Sequence, residues 1–538
     1  MNQLKLHKRI TAAFLAAVFC ICLCSCNKKD KSPENSIIYY NIAYDPDTLD
    51  PQIANDSVSE LLIMNLYEGL VRLDAEDNIT QGAAEKWDIS SDRKVYTFHL
   101  RKNLKWSDGT KLTAKDFVYG IQRSVSGKTN SPTAKTLFCI KNAQRINKNE
   151  ADLNTLGVTA DDDTTVTIEL EYPDSEILNL LTTPPAMPCN KAFFDRSAGQ
   201  YGREDDKVLG NGAFMMEKGD WEQNHSVFLR KNKNYTGKDE PVPAGIDCSI
   251  GKEIPDVYNS IISGDIDCGA ISNDDLDKAK KQDLHLKGFG DTIWGISFNT
   301  QDNLLKSESI RHSLLSSVKS GLMPEKMPES CAKVSALIPD TAELNDQSYR
   351  KLAGEAAYHP KNNPEQLLAA GLEELELDAI PNITILCTDD KNTQTYVNNL
   401  IETWNGFTGA YFNKKPVSDS ELNEKIKSGN FQIAIASLKS SGTTPLSTLE
   451  LFESSSVYNA ACLKSAEYDS MIDDIRKNLT AASVPKIKQA EEYILDHALF
   501  YPLYTQYRYY AGAKNVDDII FHPYGGEIDF FYASKTEE

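Results

Sequence analysis

The stretch RKNLKWSDGTKLTAKDF, residues 101–117, reads as the end of a strand, a tight turn and the start of a helix. In Trp106-Ser107-Asp108-Gly109 a glycine stands where the turn needs a positive φ. Thr113, with Asp116 three residues later, makes a capping box that opens the helix AKDFVYGIQRSV, residues 114–125. Upstream, KVYTFHLR (94–101) alternates, with Tyr96, Phe98 and Leu100 on one face and Thr97, His99 and Arg101 on the other.

Working outward, TTVTIELEY (164–172) repeats that alternation through Val166, Ile168, Leu170 and Tyr172. FQIAIAS (431–437) is almost wholly apolar, as a strand covered on both faces should be. Ser57 and Glu60 make a capping box before ELLIMNLYEGL, in which Val58, Leu61, Leu62 and Leu66 share a face. Ser483 precedes VPKIKQAEEYILDHA (484–498), with Pro485 in the first turn and His497 in the last. Strands and helices mixed along the whole chain predict α/β or α+β lobes.

The 538 residues, 41% hydrophobic and 25% charged, suffice for several domain-sized units. A net charge of −21 repels phosphate backbones and argues against a nucleic-acid partner. At the start, Lys5, Lys8 and Arg9 precede the apolar run ITAAFLAAVFCICL (10–23), shorter than the ~20 residues of a spanning helix. Cys20, Cys22, Cys24 and Cys26 lie at every second position and do not converge as metal ligands would. LCSC (23–26) resembles a lipobox. We therefore expect a signal peptide over 1–25, an acyl anchor on Cys26 and a polar tether over 26–35. Seven widely spaced cysteines follow, and buried free thiols are the expectation for them.

The search for chemistry returns little. SVSGKTN (124–130) lacks the first glycine of a phosphate loop, Gln122 standing in its place. No GxSxG elbow, HExxH pair or EF-hand loop occurs, and no two histidines lie at i, i+3 or i+4. Acid pairs such as Asp265 and Asp267 read as solvated loop residues, and the aromatic run LFYPLYTQYRYY (499–510) as a packed strand. Neither an enzyme nor a metal or cofactor site is expected.

The opening stretch also belongs to an ordered set: PDTLDPQ (46–52), NLYEGLVRLD (65–74), AAEKWDIS (83–90), VLGNGAFMM (208–216), SGDIDCG (263–269), ISFNTQ (296–301), AEYDSMIDDI (466–475) and KQAEEYILDHALFYPLYTQ (488–506). Together they resemble solute-binding family 5, the extracytoplasmic oligopeptide- and dipeptide-binding proteins of ABC importers. The resemblance implies a two-lobe, periplasmic-binding-protein-like (type II) α/β fold with an extra subdomain, its mixed sheets flanked by helices. It implies a first lobe over residues 36–290 with an inserted subdomain at 67–189, a second lobe over 291–505, and a return to the first over 506–538. A peptide or related solute would lie between the lobes as an added strand and pass to a permease and its ATPase.

The same resemblance implies ligand contacts at Ser57, Val58, Ser59, Glu60, Thr133, Ser297, Asp419, Ile426 and the run Ser437, Leu438, Lys439, Ser440, Ser441. Here the chain departs from the pattern. Where the peptide-binding branch carries an aromatic and then an aspartate for the ligand's amino end, this sequence has Leu438 and Ser441. A serine cannot neutralise a buried ammonium. Either another acid, such as Glu60, holds that end, or the ligand is a metal chelate, an oligosaccharide, haem or another non-peptide solute. A lipid-anchored hydrolase and an adhesin or chaperone on the same scaffold are the alternatives of another class.

Overall fold

The computed structural model describes residues 36–174, 176–251, 256–318, 327–344, 347–354, 356–361, 363–440, 442–523 and 528–536. The signal, the tether, Cys26 and Ser441 lie outside the described residues. Among the described residues, no helix is long and apolar enough to cross a membrane.

The fold is α/β with two lobes, and its buried apolar residues form two clusters. The first contains a sheet in the order Ile37–Ile42, Gly245–Ile250, Ser226–Lys231, Phe214–Met215. It also contains an antiparallel sheet in the order Ala84–Ile89, Val95–Leu100, Thr165–Glu169, Val158–Asp162. The alternation read from the sequence is the burial pattern of these strands, with Tyr96, Phe98, Val166 and Ile168 at 1% exposure or less.

The opening stretch folds as read. Gly109 has φ 85° and its N–H donates to Trp106 O at 2.9 Å, while Thr113 and Asp116 form the capping box of helix Ala114–Val125. From that helix Arg123 donates to Asp50 at 2.7 Å and to Gln52 at 2.6 Å, so the PDTLDPQ segment is tied to it inside the core. Glu68 of the NLYEGL segment is held by Arg101 at 2.6 Å and by the Tyr235 hydroxyl at 2.7 Å. A Cβ on Gly210 would stand 2.1 Å from Leu66 O, which is why VLGNGAF needs glycine there. These motifs close the scaffold on itself.

Three expectations are corrected. The cap of helix Ser57–Leu66 is Asp56, whose carboxylate accepts from Ser59 N at 2.9 Å, and Ser57 is the first helical residue. Asp267 is no solvated acid. At 2% exposure it accepts from Tyr39 N at 2.8 Å and pairs with Lys535 at 2.9 Å, fastening the C-terminal segment. All seven cysteines are free thiols, but Cys331 and Cys462 are only partly buried.

The second cluster is built on a sheet in the order Cys268–Ile271, Phe500–Gly512, His285–Phe298, Ile433–Lys439, Ile383–Thr388, Phe412–Val417, whose Cys268–Ile271 edge packs in the first cluster, with Cys331–Lys333 also on Phe500–Gly512. Helices Ala466–Lys477 and Val484–Asp496 pack beside it.

Candidate binding cleft at the crossing strands

The antiparallel strands His285–Phe298 and Phe500–Gly512 are the longest among the described residues, and each contributes to both cores. Phe289, Tyr510 and Ala511 belong to the first cluster; Ile293, Ile296, Phe500, Leu503 and Tyr504 belong to the second. The register slips between Phe289 and Thr292, a bulge that bends the pair where the cores part. Asp291 sits in that bulge at 1% exposure, and Arg508 donates to it from the partner strand at 2.7 Å. Both strands therefore pass from one core to the other at a bulge where the buried Asp291 carboxylate is paired with the part-exposed Arg508 guanidinium.

On the second lobe, Ile383–Thr388 runs parallel to both Phe412–Val417 and Ile433–Lys439. Carboxyl ends of parallel strands are where such sheets bind ligands, because helices start there and side chains converge. These ends bring together Asp389 and Asp390, Ser418 and Asp419, and Lys439 and Ser440. Asp390 caps helix Lys391–Thr408, accepting from Thr393 N at 2.9 Å and from the Thr388 hydroxyl. Ser418 caps helix Asp419–Lys427, accepting from Glu421 N at 3.3 Å. The Asp419 carboxyl is pushed above its ordinary range, first by burial and then by the charges of Asp389 and Asp390.

Beside this rim Trp294 stacks on Tyr504, centroids 6.4 Å apart, and Tyr396 meets Tyr504 edge-on at 5.8 Å. Burial pushes the Tyr504 phenol well above its usual range, so it stays a neutral hydroxyl, bonded to Thr393 at 3.4 Å. The Trp294 indole N–H is shielded and has no partner among the described residues.

The aligned residues divide. Asp419, Ser437, Lys439 and Ser440 lie on the strand-end rim, where Ser440 is bonded to Ser447 at 2.6 Å and to Gly442 O at 2.7 Å. Leu438 and Ile426 turn into the second core at 2% and 8% exposure, because the strand and helix that carry them pack on that side. Ser297 is fully buried and its hydroxyl donates to Ala460 O at 2.7 Å. On the first lobe Ser57 is bonded to the Tyr44 hydroxyl at 3.2 Å, Val58 and Ser59 are buried, and Glu60 is half-buried. Thr133 stands just before the short 3-10 helix Ala134–Leu137, and its hydroxyl is bonded to that of Ser131 and not to the helix.

Sequence reading missed Asp389, Asp390 and the Asp291–Arg508 pair. The first two had a signal, since the apolar run ITILCT ends in two aspartates ready to cap a helix. The ion pair joins residues 217 apart and leaves no local trace. Among the described residues no group of three or more His, Cys, Asp or Glu could hold a metal ion.

Residues 78–460 match the family model described as bacterial extracellular solute-binding proteins, family 5. The dipeptide-binding protein DppE of Bacillus subtilis is 24% identical over 511 residues, covering 94% of this chain and 93% of its own. A probable deoxycholate-binding periplasmic protein of Escherichia coli, YgiS, is 26% identical over 479 residues, covering 87% and 88%. The crystal structure of the substrate-binding domain of an oligopeptide ABC transporter from Bacillus anthracis superposes with a TM-score of 0.74 at 26% identity, over 93% of this chain and 99% of that one.

Proposed function

Because the chain belongs to the family-5 bacterial extracellular solute-binding proteins, we propose that it captures a peptide or peptide-like solute between its two lobes and delivers it unchanged to an ABC permease and its ATPase. In this reading the first lobe spans residues 36–290 with an inserted subdomain at 67–189, the second spans 291–505, and residues 506–538 return to the first. Cys26 carries the acyl chain that holds the protein at the outer side of its membrane, and residues 26–35 are the tether.

The observation that carries the reading is the division of the buried core inside two crossing strands, kinked at Asp291. A body so divided can open and shut about those strands while each half stays packed. Ligand contacts are proposed at Ser57, Glu60 and Thr133, with Val58 and Ser59 contributing backbone groups, on one side, and at Asp419, Ser437, Lys439 and Ser441, with Ser440 contributing backbone, on the other. Leu438, Ile426 and Ser297 act through the packing of the second lobe. Asp389 and Asp390 join Asp419 as the acid-rich end of the cleft, suited to an ammonium or guanidinium group.

The serine at position 441 and the relative named for deoxycholate support a second reading, in which the solute is not a peptide. One thermal-shift experiment separates the two. The full chain is heated with a library of di- to pentapeptides and, in parallel, with deoxycholate. A raised midpoint with a peptide is expected; stabilisation by deoxycholate alone moves the assignment to the second reading, and indifference to every peptide removes the first.

A further inference from the structure

We propose that Lys135, Glu453 and Arg476 form an electrostatic latch that holds the inserted subdomain against the second lobe when the cleft is shut. The inference rests on the two-lobe capture reading and adds to it a specific contact away from the crossing strands.

Besides Asp291–Arg508 at the joint itself, two ion pairs among the described residues link elements of the first core to elements of the second. Lys280–Glu329 lies beside the crossing strand, where both charges act on Tyr509. Lys135–Glu453 is the other: Lys135 Nζ leaves the 3-10 helix Ala134–Leu137 and stands 3.2 Å from Glu453 Oε2. Glu453 follows the short helical turn Glu450–Phe452, whose Phe452 is packed in the second core.

The charge arithmetic favours a contact that responds to opening. Arg476 Nη2 lies 2.9 Å from Glu453 Oε2 and 2.7 Å from Glu450 Oε1, and its Nη1 lies 2.5 Å from Asp473. One guanidinium therefore serves three carboxylates within the second lobe, and the Lys135 ammonium brings a further positive charge from the first lobe. The Glu453 side chain is 8% exposed, so the pair is shielded on one side although the lysine is 63% exposed. Tyr172 and Asp174 of the subdomain face the same charges: Glu450 repels the Asp174 carboxylate while Arg476 attracts it, so the positive charge that Lys135 brings is the subdomain's attractive contribution to Glu453. Asp174 itself is 6% exposed and accepts from Glu176 N at 2.8 Å, so it is anchored within its own lobe. Lobe separation leaves Glu450, Glu453 and Asp473 with one cation between them.

The test is amide hydrogen exchange on the full chain without added ligand, comparing Lys135→Glu with Lys128→Glu. Lys128 is an exposed lysine near the end of helix Ala114–Val125 with no ion pair among the described residues. Lys135→Glu is expected to raise exchange across residues 450–453 and 134–138 by roughly two- to fivefold, the range of a partly shielded ion pair. High salt should raise wild-type exchange in the same segments, and Lys128→Glu should leave it unchanged. Equal exchange in the two variants overturns the latch. Thermal shift with peptides scores the capture reading separately, so a chain that binds peptides yet shows equal exchange loses the latch alone.

Discussion

Arg508 donates to Asp291 at 2.7 Å across the two strands that join the lobes, at the bulge where one core ends and the other begins. The arginine also donates to the Tyr510 hydroxyl at 3.0 Å, and Thr292 donates to the other Asp291 oxygen at 3.0 Å. A kinked two-stranded joint loses ladder hydrogen bonds, and this pair offsets that loss. Asp291→Ala leaves a part-buried guanidinium without its carboxylate, and we expect a loss of about 2–4 kcal/mol, somewhat below a fully buried pair. Urea unfolding measures it. A midpoint equal to wild type would show the joint to be held by backbone alone.

The same joint predicts a steric effect. The register slips again between Trp294 and Gly295, and a Cβ on Gly295 would stand 2.3 Å from the Phe500 ring and 2.4 Å from Tyr501 O. Backbone oxygen cannot step aside cheaply, so Gly295→Ala should destabilise by about 1–3 kcal/mol. Its thermal midpoint should fall well below that of Gly406→Ala, where the backbone is helical and a side chain meets nothing within 4 Å.

Within the second lobe, Glu491 is fully buried and accepts from Leu337 N at 3.0 Å, Ile338 N at 3.1 Å and Arg350 at 2.7 Å. Glu491→Ala strips three donors of their acceptor and leaves Arg350 unpaired in a poorly solvated site. A cost of about 3–5 kcal/mol is expected, read as a drop in the urea midpoint. A drop under 1 kcal/mol would mean that water reaches the pair.

Much of the fold was legible because its determinants are local. Thr113 and Asp116, Gly109, and the alternation at Tyr96 and Phe98 each act within a few residues, and each folds as its pattern predicts. The run at residues 499–510 was legible as a strand but not as a joint, since only its pairing with His285–Phe298 divides it between two cores. Sites were harder. Ser297 and Leu438 sit at aligned positions, yet which way a strand residue points depends on sheet register, and both point inward. Asp267 looked like a surface acid because its partners, Tyr39 and Lys535, lie at the two ends of the described chain.

The pH dependence has a definite sign. Glu308 bonds to His497 at 2.7 Å and lies 3.4 Å from His312; these two contacts, His312 first, hold its carboxyl far below the ordinary value of 4.5. The His497 imidazole is raised above 6.5 by its bond to Glu308. The raised histidine contributes stability that is full below pH 6.5 and is lost as pH rises through its folded value. The depressed glutamate contributes stability that is present above 4.5 and is lost as pH falls through its own. The pair is therefore worth most between pH 4.5 and 6.5. Wild type should lose more stability than Glu308→Gln between pH 6 and pH 8.5 in urea unfolding; parallel curves would refute the coupling.

Asp419 carries the last prediction, because its two roles have opposite signs. Burial and the charges of Asp389 and Asp390 raise its carboxyl, so its ionised form at neutral pH is held at a cost to the empty protein. Asp419→Asn removes that repulsion, and the unliganded variant should melt slightly higher than wild type at pH 7.5. If the acid-rich rim meets a cationic end of the solute, the same variant should bind a stabilising peptide about tenfold more weakly, a charge-assisted hydrogen bond having become a neutral one. Thermal midpoints with and without the peptide read both effects on one instrument. A variant that melts higher and binds equally well would assign Asp419 to the rim's electrostatics and send the search for the amino-end partner back to Glu60.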